Sequence, residues 1–468
     1  MIFDVENYVT DENSSIRDGL NLIEKNHDGL VCVSSCSPSS LGEIIGLCTD
    51  GDIRRALLGG ATLECPISRC VNKNFLWADI HTTRENLLKK LDGHIRRIPI
   101  LDDAKKLHLI ISKDFLPLRE EDEIYIRSRA PVRISFGGGG SDVTHYFESE
   151  SGAVINTAIS IYSHATMKVN DSDRVFISSL DLQDTLVADN LTDALNQDGS
   201  FGLIQAILKV VQPKFGFDLY LHSDFSVGSG LGGSATLSAA VLGCFNELRR
   251  DRWDRHELAE IAFQAERLHL GIAGGWQDQY ATVFGGFNFL EFEADSNTVN
   301  PIRIPADILL ELEESLVLCD TGIAHNSGNI HQDQKTITST DLIKAKVKEN
   351  VALTYKIRNY LLRGNLEDFG RALDTAWHLK RNFSKLITND HLDEIYSGAL
   401  ENGALGGKLL GAGGGGFFIF YVPPFEKHNL MSHLKDKELS VRPFRFEPDG
   451  LQAWTSRFSN THKLFKGI

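Results

Sequence analysis

The sequence lacks several features that would place a protein in a common class. Its 468 residues carry 48 basic and 63 acidic side chains, a formal net charge of −15. It therefore has no basic surplus of the kind that nonspecific binding to nucleic acid or to an anionic membrane requires. No apolar run reaches the roughly 18 to 20 residues that span a bilayer, and the acidic N-terminus lacks the layout of a signal peptide. We expect a cytoplasmic protein that binds neither nucleic acid nor membrane.

Cysteine is also scarce, whereas glycine is abundant. The seven cysteines form no C-x-x-C pair and no Cys/His spacing typical of zinc sites, so we expect reduced thiols. The 41 glycines include three dense clusters. Such clusters indicate turns at which something approaches the backbone closely, rather than a flexible linker.

The length of the chain predicts two or three domains, because one hydrophobic core rarely extends over so many residues. A charged stretch near residue 120 separates two blocks. In the first block, residues 1–120, a βαββα-like order occurs twice, and a final helix is predicted to start in KDFL at 113–116. The second block, 125–468, has the pattern of a mixed α+β fold, which we expect to divide into an N-terminal lobe at 125–310 and a C-terminal lobe at 311–468.

The central glycine cluster follows the predicted strand FDLYLHSDF and precedes a predicted helix. A strand, a glycine loop and a helix direct backbone N–H groups and the helix dipole at one point, which suits a phosphate. The pattern lacks the lysine of a Walker A loop and the spacing of a dinucleotide-binding loop. Alone, it leaves phosphate binding and close backbone packing as two interpretations. The candidate ATP-binding residues are Gly228, Ser229, Gly230, Leu231, Gly232, Gly233, Ser234 and Ala235.

Two further clusters favour phosphate binding. They are APVRISFGGGGSDV at 130–143 and GGKLLGAGGGGFFIFYV at 406–422. Together with the central loop, they resemble the three motifs of the GHMP small-molecule kinases over essentially all of 125–468. The resemblance implies a two-lobed α+β kinase fold that uses ATP and Mg²⁺.

The resemblance also implies roles for individual side chains. Ser234 and Glu266 match the family's Mg²⁺ ligands, and Asp278 matches the carboxylate that orients or deprotonates the attacking hydroxyl. Arg133 lies where several members carry a lysine, and its charge would stabilise Asp278 or the transferring phosphoryl group. Gly233 departs from the family's serine pair. Taken alone, Glu266 also suits a solvated helix face and Asp278 a helix cap.

Candidates for acceptor binding come from the same resemblance. Asp142 lies where the sugar kinases of the family place an acid on substrate hydroxyls. The other candidates around the glycine motifs are Gly139, Gly140, Ser141, Gly275, Gly413 and Gly414.

Segments such as AERLHLGIAGGWQDQYATVFGGF resemble the heptose 7-phosphate kinases within the family. This implies phosphorylation of the anomeric hydroxyl of D-glycero-D-manno-heptose 7-phosphate, in the supply of nucleotide-activated heptose for surface glycans. A fucokinase-like anomeric kinase and a non-catalytic nucleotide sensor are the alternatives.

A sugar phosphate needs an anion site besides the ATP loop. Lys380 and Arg381 are the candidates, although both also suit an exposed helix face. Lys408 could either face phosphate or hydrogen-bond to nearby carbonyls. The residues predicted to add hydrogen bonds are His325, Asn326 and Ser327.

The first block resembles a tandem pair of CBS modules, through IIGLCTDGDIRRALLGG and HIRRIPILDDAKKLHLIISKDFL. The resemblance implies that Thr49 and Asp52 contact the ribose of a regulatory nucleotide. The second copy, at Ser112 to Asp114, is one residue short of that spacing. A module that only packs or mediates homodimerisation is the alternative.

Overall fold

The computed structural model describes residues 5–35, 42–92, 95–116, 123–226, 228–323 and 341–458. The candidates His325, Asn326 and Ser327 lie outside the described residues. The chain divides into two compact units: one contains the residues up to Ile124 with the chain end from Arg457, and the other is Tyr125–Ser456. None of the described helices is long and apolar enough to cross a bilayer.

The first unit contains two small sheets built in the same way. In each, the first strand pairs in parallel with the second, and the second pairs antiparallel with the third. The order strand, helix, strand, strand therefore occurs twice. The strands are β1 (Val9–Asp11), β2 (Leu30–Ser34), β3 (Ile44–Thr49), β4 (Ala78–Asp79), β5 (Arg97–Leu101) and β6 (Leu107–Ser112), and the helices are α1 (Ile16–Asn26), α2 (Asp50–Leu58) and α3 (Arg84–Leu91).

The helix predicted to start in KDFL does not form at 113–116. Ser112 Oγ accepts hydrogen bonds from the backbone N–H groups of Asp114 (3.2 Å) and Phe115 (3.0 Å). A serine that bonds the amides following it offers the backbone an alternative to helical pairing. This turn is the physical reason for the wrong prediction.

An eight-stranded sheet forms the larger part of the second unit. Its order is β10-β9-β11-β8-β12-β13, and β7 pairs with both β8 and β18. Its strands are β7 (Glu123–Gly137), β8 (Gly152–Val169), β9 (Val175–Ser179), β10 (Asp184–Ala188), β11 (Phe217–Ser223), β12 (Phe287–Phe292), β13 (Asn297–Pro301) and β18 (Gln452–Phe458). The helices of this region are α4 (Thr144–Phe147), α5 (Leu191–Asn196), α6 (Gly202–Val211), α7 (Gly233–Glu247), α8 (Arg255–Phe263) and α9 (Gln277–Phe284).

A four-stranded antiparallel sheet, in the order β15-β16-β14-β17, follows along the chain. Its strands are β14 (Leu316–Asp320), β15 (Gly406–Leu409), β16 (Phe417–Tyr421) and β17 (Ser440–Arg442). The associated helices are α10 (Ala306–Ser315), α11 (Asp341–Arg363), α12 (Leu366–Arg381), α13 (Asp390–Glu401) and α14 (Lys427–Asp436). β18 lies in the predicted C-terminal range 311–468 but pairs with β7 of the larger sheet.

Strand β8 is one continuous element of 18 residues. In its middle part, Tyr162–His164 pair with β7, and Ser163 also pairs with Ser223 of β11 on the other side, whereas Ser160 and Ile161 lie at a register shift and have no partner on β7. β8 therefore serves as a central strand, and the helix α7 packs against it. This packing holds the glycine loop at the start of α7 in place.

Candidate active site

A cleft of about 720 Å³ in the second unit is lined by residues from all three glycine clusters. The first cluster contributes Gly139 and Gly140, and the third contributes Gly411 and Ala412. From the central cluster the lining residues are Gly228, Ser229, Gly230, Gly232, Gly233 and Ser234. A cleft of this volume matches the usual size of a small-molecule site. The fold thus brings three segments that are distant in the sequence to one place.

The central loop has the backbone conformation of an anion cradle. Gly228, Gly230 and Gly232 have φ values of +80°, +76° and +83°, a left-handed conformation that glycine adopts without strain. Gly232 is the N-cap of α7, and no side chain caps this end of the helix. The first N–H groups of α7 therefore remain available to a phosphate. Leu231 is fully buried in an apolar cluster, and neither Leu231 nor Ala235 lines the cleft.

The departure from the family motif at Gly233 has a steric reason. A Cβ atom there would lie 2.7 Å from Cε2 of Phe225, a residue that itself lines the cleft. A serine at 233 would need that ring to move. The hydroxyl at the next position, Ser234, remains at the cleft.

The third glycine cluster packs mainly against protein. A Cβ at Gly411 would lie 2.5 Å from Gly230 O, so this glycine allows the third loop to support the central one. Gly413 and Gly414, which we predicted to bind substrate, do not line the cleft. A Cβ at Gly413 would lie 2.8 Å from Ile387 Cα, and Gly414 N donates a hydrogen bond to Ile387 O (2.9 Å).

The side-chain oxygens of Ser234 and Glu266 are in direct contact. Ser234 Oγ donates a hydrogen bond to Glu266 Oε1, and Gln279 Nε2 donates to Glu266 Oε2 at 2.6 Å. Glu266 is 1% exposed and lies in a π-helical turn, Gln264–His269, that continues α8. Such turns occur frequently at functional sites.

This pair fits Mg²⁺, a hard cation that takes oxygen ligands and that usually binds one or two protein side chains together with substrate phosphates. No group of three or more metal-ligating His, Cys, Asp or Glu side chains occurs among the residues that the structure describes. Two protein oxygens beside a phosphate loop match that mode of binding.

Arg133 and Asp278 form a two-pronged ion pair at the centre of the cleft. Nε and one terminal nitrogen of Arg133 each donate to a different carboxylate oxygen of Asp278 at 2.8 Å. The other terminal nitrogen donates to Gly230 O at 2.9 Å. A Cβ at Gly232 would lie 3.2 Å from Asp278 Oδ2. The catalytic candidates therefore adjoin the phosphate loop directly, and a fork-to-fork contact fixes the orientation of the carboxylate.

Asp142 is 3% exposed and is bound by the segment that precedes Asp278. Gly140 N donates to its Oδ1 (3.1 Å), and Gln277 donates to its Oδ2 through N (3.3 Å) and Nε2 (3.0 Å). A Cβ at Gly275 would overlap Asp142 Oδ2, so only glycine fits there. Burial raises the pKa of Asp142, and the charge of Asp278 raises it further.

Ser141 has a structural position rather than one at the cleft. Its hydroxyl donates to Gly138 O (2.8 Å) and to Ala153 O (3.2 Å), and the residue is completely buried. It does not line the cleft, whereas its neighbours Gly139 and Gly140 do. Ser141 thus holds the first glycine loop against β8.

Of the two predicted phosphate-binding cations, only one lies in the cleft. Lys380 lines the cleft, where its Nζ donates to Leu409 O (3.0 Å) and Gly411 O (2.5 Å). Burial, together with the charges of Lys408 and Arg133, places the pKa of Lys380 well below its usual range. Arg381 instead pairs with Asp393 at 2.7 Å and is not part of the cleft lining.

Three polar groups of the cleft were not found from the sequence. Ser135 Oγ, Gln277 Oε1 and Asn350 Oδ1 are buried without a hydrogen-bond partner. Ser135 carried a usable signal, because it lies two residues after Arg133 on β7 and so shares its face, whereas Gln277 and Asn350 have no local motif. Lys408, for which the sequence left phosphate binding and carbonyl bonding open, lines the cleft from β15 and is 5% exposed.

Part of the cleft lining is apolar. It consists of Leu182, Leu203, Phe225 and Leu237, and Ser179, Asp181 and Ser223 also line the cleft. These residues come from β9, the turn after it, α6, α7 and the segment before the central loop. No motif in the sequence pointed to this region.

In the first unit, Thr49 and Asp52 bond to each other across the start of α2. Asp52 Oδ2 accepts from Thr49 N (2.9 Å) and Thr49 Oγ (2.6 Å), and Asp52 N donates to Thr49 Oγ (3.2 Å). Asp52 Oδ1 pairs with Arg55 at 2.6 Å. This arrangement is a helix capping box. The ribose contact of Thr49 and Asp52 stays a prediction.

Comparison with known proteins agrees with this geometry. Residues 202–286 match the family described as GHMP kinases N terminal domain, and residues 357–436 match GHMP kinases C terminal. A D-glycero-alpha-D-manno-heptose 7-phosphate kinase of Campylobacter jejuni is 34% identical over 342 residues, which cover 70% of this chain and 98% of that protein.

Two crystal structures share the fold. One is of a D-glycero-D-manno-heptose 1-phosphate kinase from Bacteroides thetaiotaomicron, with 29% identity, a TM-score of 0.60, and coverage of 71% of this chain and 100% of its own. The other is of a putative sugar kinase from Campylobacter jejuni, with 33% identity, a TM-score of 0.59, and coverage of 71% and 98%. The predicted α+β kinase fold is thereby confirmed. The chain belongs to the GHMP kinase family.

Proposed function

We propose that this protein transfers the γ-phosphoryl group of ATP to the anomeric hydroxyl of D-glycero-D-manno-heptose 7-phosphate. As a GHMP kinase, it is a phosphotransferase with an alcohol group as acceptor. The substrate follows from the relative that is 34% identical and that carries this heptose phosphate in its name. The product would enter the synthesis of nucleotide-activated heptose for surface glycans.

The observation that carries the proposal is the contact between the ion pair and the phosphate loop. Arg133 binds both Asp278 and the Gly230 carbonyl, so the acceptor-orienting carboxylate and the nucleotide site form one rigid group. Phosphoryl transfer depends mostly on alignment and on charge stabilisation. A fixed carboxylate beside an anion cradle supplies both.

In this mechanism the central loop and the start of α7 bind the phosphates of ATP through backbone N–H groups. Ser234 and Glu266 would hold Mg²⁺, which when bound neutralises charge on the phosphate oxygens. Asp278 accepts a hydrogen bond from the anomeric hydroxyl and directs its oxygen towards the loop. Arg133 keeps that carboxylate in place and adds positive charge where the transferring group passes.

The rest of the cleft suits a polyhydroxyl acceptor. Asp142 lies beside the ion pair, and Ser135 Oγ, Gln277 Oε1 and Asn350 Oδ1 have no protein partner. Buried polar atoms in native proteins are nearly always hydrogen-bonded. The hydroxyl groups of a sugar would satisfy all of them, while Lys380 brings positive charge for a phosphate.

A coupled ADP-release assay tests the proposal, with ATP, Mg²⁺ and a panel of free sugars, hexose phosphates and heptose 7-phosphate. We expect turnover with heptose 7-phosphate, and a loss of about 10²- to 10⁴-fold in kcat for Asp278→Asn with ATP binding retained. Asp295→Asn, an exposed carboxylate, is the matched control. Turnover of free fucose but of no sugar phosphate would contradict the substrate, and near-normal kcat in Asp278→Asn would contradict the mechanism.

We also propose that residues 1–120 form a tandem CBS module that regulates the kinase, either by binding an adenine nucleotide or by forming a homodimer. The support is the repeated strand, helix, strand, strand order in its two sheets. Titration of AMP, ATP and GDP-sugars into the full chain, with Asp278→Asn to remove turnover, separates these roles. Binding that Asp52→Asn abolishes would support the ribose contact, and a dimer in sedimentation without nucleotide binding would support homodimerisation.

A further inference from the structure

We propose that Gln279 is a positioning residue, which fixes the carboxylate of Glu266 for Mg²⁺ binding. This inference rests on the proposed kinase function, which assigns Ser234 and Glu266 to the metal. Gln279 follows the acceptor-orienting carboxylate Asp278 directly in the sequence, yet it does not line the cleft. It would therefore act through Glu266 rather than by touching the nucleotide or the sugar.

The side chain of Gln279 is completely buried, and its nitrogen is bound to Glu266. Nε2 of Gln279 donates a hydrogen bond to Glu266 Oε2 at 2.6 Å, whereas its Oε1 has no hydrogen-bond partner among the described residues. A buried amide whose oxygen is unpaired destabilises a protein, and an apolar side chain of similar size would avoid this penalty. The presence of an amide at this position is therefore explained by the carboxylate that its nitrogen holds, not by packing.

The carboxylate of Glu266 is held at both of its oxygens. Oε1 accepts a hydrogen bond from Ser234 of α7 and lies 3.3 Å from Nη1 of Arg267, whereas Oε2 accepts from Gln279 of α9. The torsion that rotates a glutamate carboxylate is soft, so contacts at one oxygen alone would leave the group free to turn. The bond from Gln279 removes this freedom and keeps Oε1 beside Ser234. Partners that orient a ligand in this way are typical of metal sites.

The beginning of α9 connects the metal ligand with the carboxylate that orients the acceptor. Asp278 and Gln279 are consecutive, and their side chains point about 100° apart. Arg133 binds the first of them, and the second binds Glu266. The placement of Glu266 relative to Asp278 is thus set within one turn of a helix. Phosphoryl transfer depends on this kind of alignment.

Binding of Mn²⁺ in the presence of ADP, measured by electron paramagnetic resonance of the free ion, tests the assignment without catalysis. Gln279→Met keeps the length of the side chain but removes the donor. We expect the Kd for Mn²⁺ to rise about 10- to 100-fold, with the Kd for ADP in EDTA within about twofold of wild type. Gln264→Met changes an exposed glutamine in the same π turn as Glu266. This matched control should bind Mn²⁺ like wild type.

A double-mutant cycle distinguishes positioning of the carboxylate from a merely structural role. In the background of Glu266→Gln, which lacks the carboxylate, Gln279→Met should change the Kd for Mn²⁺ by less than about twofold. The reason is that no carboxylate remains to be positioned. Thermal unfolding without metal verifies that each variant is folded, and Gln279→Leu serves as the test variant if Gln279→Met does not fold.

Three outcomes would overturn the assignment. An unchanged Kd for Mn²⁺ in Gln279→Met would make Gln279 a packing residue, and an equal loss of ADP affinity in EDTA would place its effect at the phosphate loop. A full effect of Gln279→Met in the Glu266→Gln background would show that it acts independently of the carboxylate. If the wild-type protein binds no Mn²⁺ with ADP, the proposed metal site itself fails, and this result is distinct from the other three.

Discussion

Removing Arg133 should separate the carboxylate from the phosphate loop. Arg133→Met eliminates two hydrogen bonds to Asp278, each 2.8 Å long, and one to Gly230 O at 2.9 Å. A hydrogen bond to a charged group contributes about 1.5–3 kcal/mol. If both carboxylate bonds act in the transition state, the barrier rises by about 3–6 kcal/mol, and kcat falls by about 10²- to 10⁴-fold.

A double-mutant cycle with Asp278→Asn shows whether the two residues act as one unit. We expect the kcat of the double variant Arg133→Met/Asp278→Asn to lie within about threefold of the kcat of the slower single variant. The reason is that either change alone already destroys the oriented pair. The kcat of Arg133→Lys should lie between those of wild type and Arg133→Met, since lysine keeps the charge but cannot make the two-pronged contact with the carboxylate. Rates come from ADP release at saturating substrate. Single-variant effects that multiply in the double variant would refute the coupling.

Two further predictions concern neighbouring parts of the cleft. Ser234→Ala should raise the Mg²⁺ concentration for half-maximal activity by about 10- to 100-fold; an unchanged Mg²⁺ titration would remove Ser234 from the metal site. Gly275→Ala should lower the free energy of unfolding by about 1–3 kcal/mol, because its Cβ would overlap Asp142; urea denaturation measures this, and wild-type stability would contradict it.

The core of the site could be predicted because it is encoded in local motifs. Each glycine cluster is readable by itself, and Arg133, Ser234, Glu266 and Asp278 all lie within or next to such a pattern. The structure brings them to one cleft. The roles predicted for them come from the resemblance of these motifs to the kinase family, which can be recognised in a single sequence.

The remaining residues of the site depend on the directions of their side chains and on their burial, and a single sequence contains neither. Lys380 and Arg381 are adjacent on α12, and successive helical residues point about 100° apart, so only Lys380 reaches the cleft while Arg381 turns to Asp393. Gly413 was predicted from its cluster, but it accommodates Ile387. For Lys408 the sequence left two roles open, because its burial results from the packing of β15 in the smaller sheet.

Local structure also depends on pairing between strands that are distant in the sequence. β8 continues past Tyr162 because Ser163 and His164 pair with β7 on one side and with β11 on the other. The helix that contains Glu266 widens to a π turn at Gln264–His269, a local feature that the sequence does not predict. Glu266 and Arg267 of this turn line the cleft, as is common where function constrains local geometry.

Phosphorus NMR of the reaction mixture tests the central claim most directly. With ATP, Mg²⁺ and D-glycero-D-manno-heptose 7-phosphate, the account predicts a sugar bisphosphate whose new phosphorus couples to the anomeric proton, formed in equal amount with ADP. Phosphorylation at any other hydroxyl, or no transfer to this sugar while free fucose is phosphorylated, would contradict it.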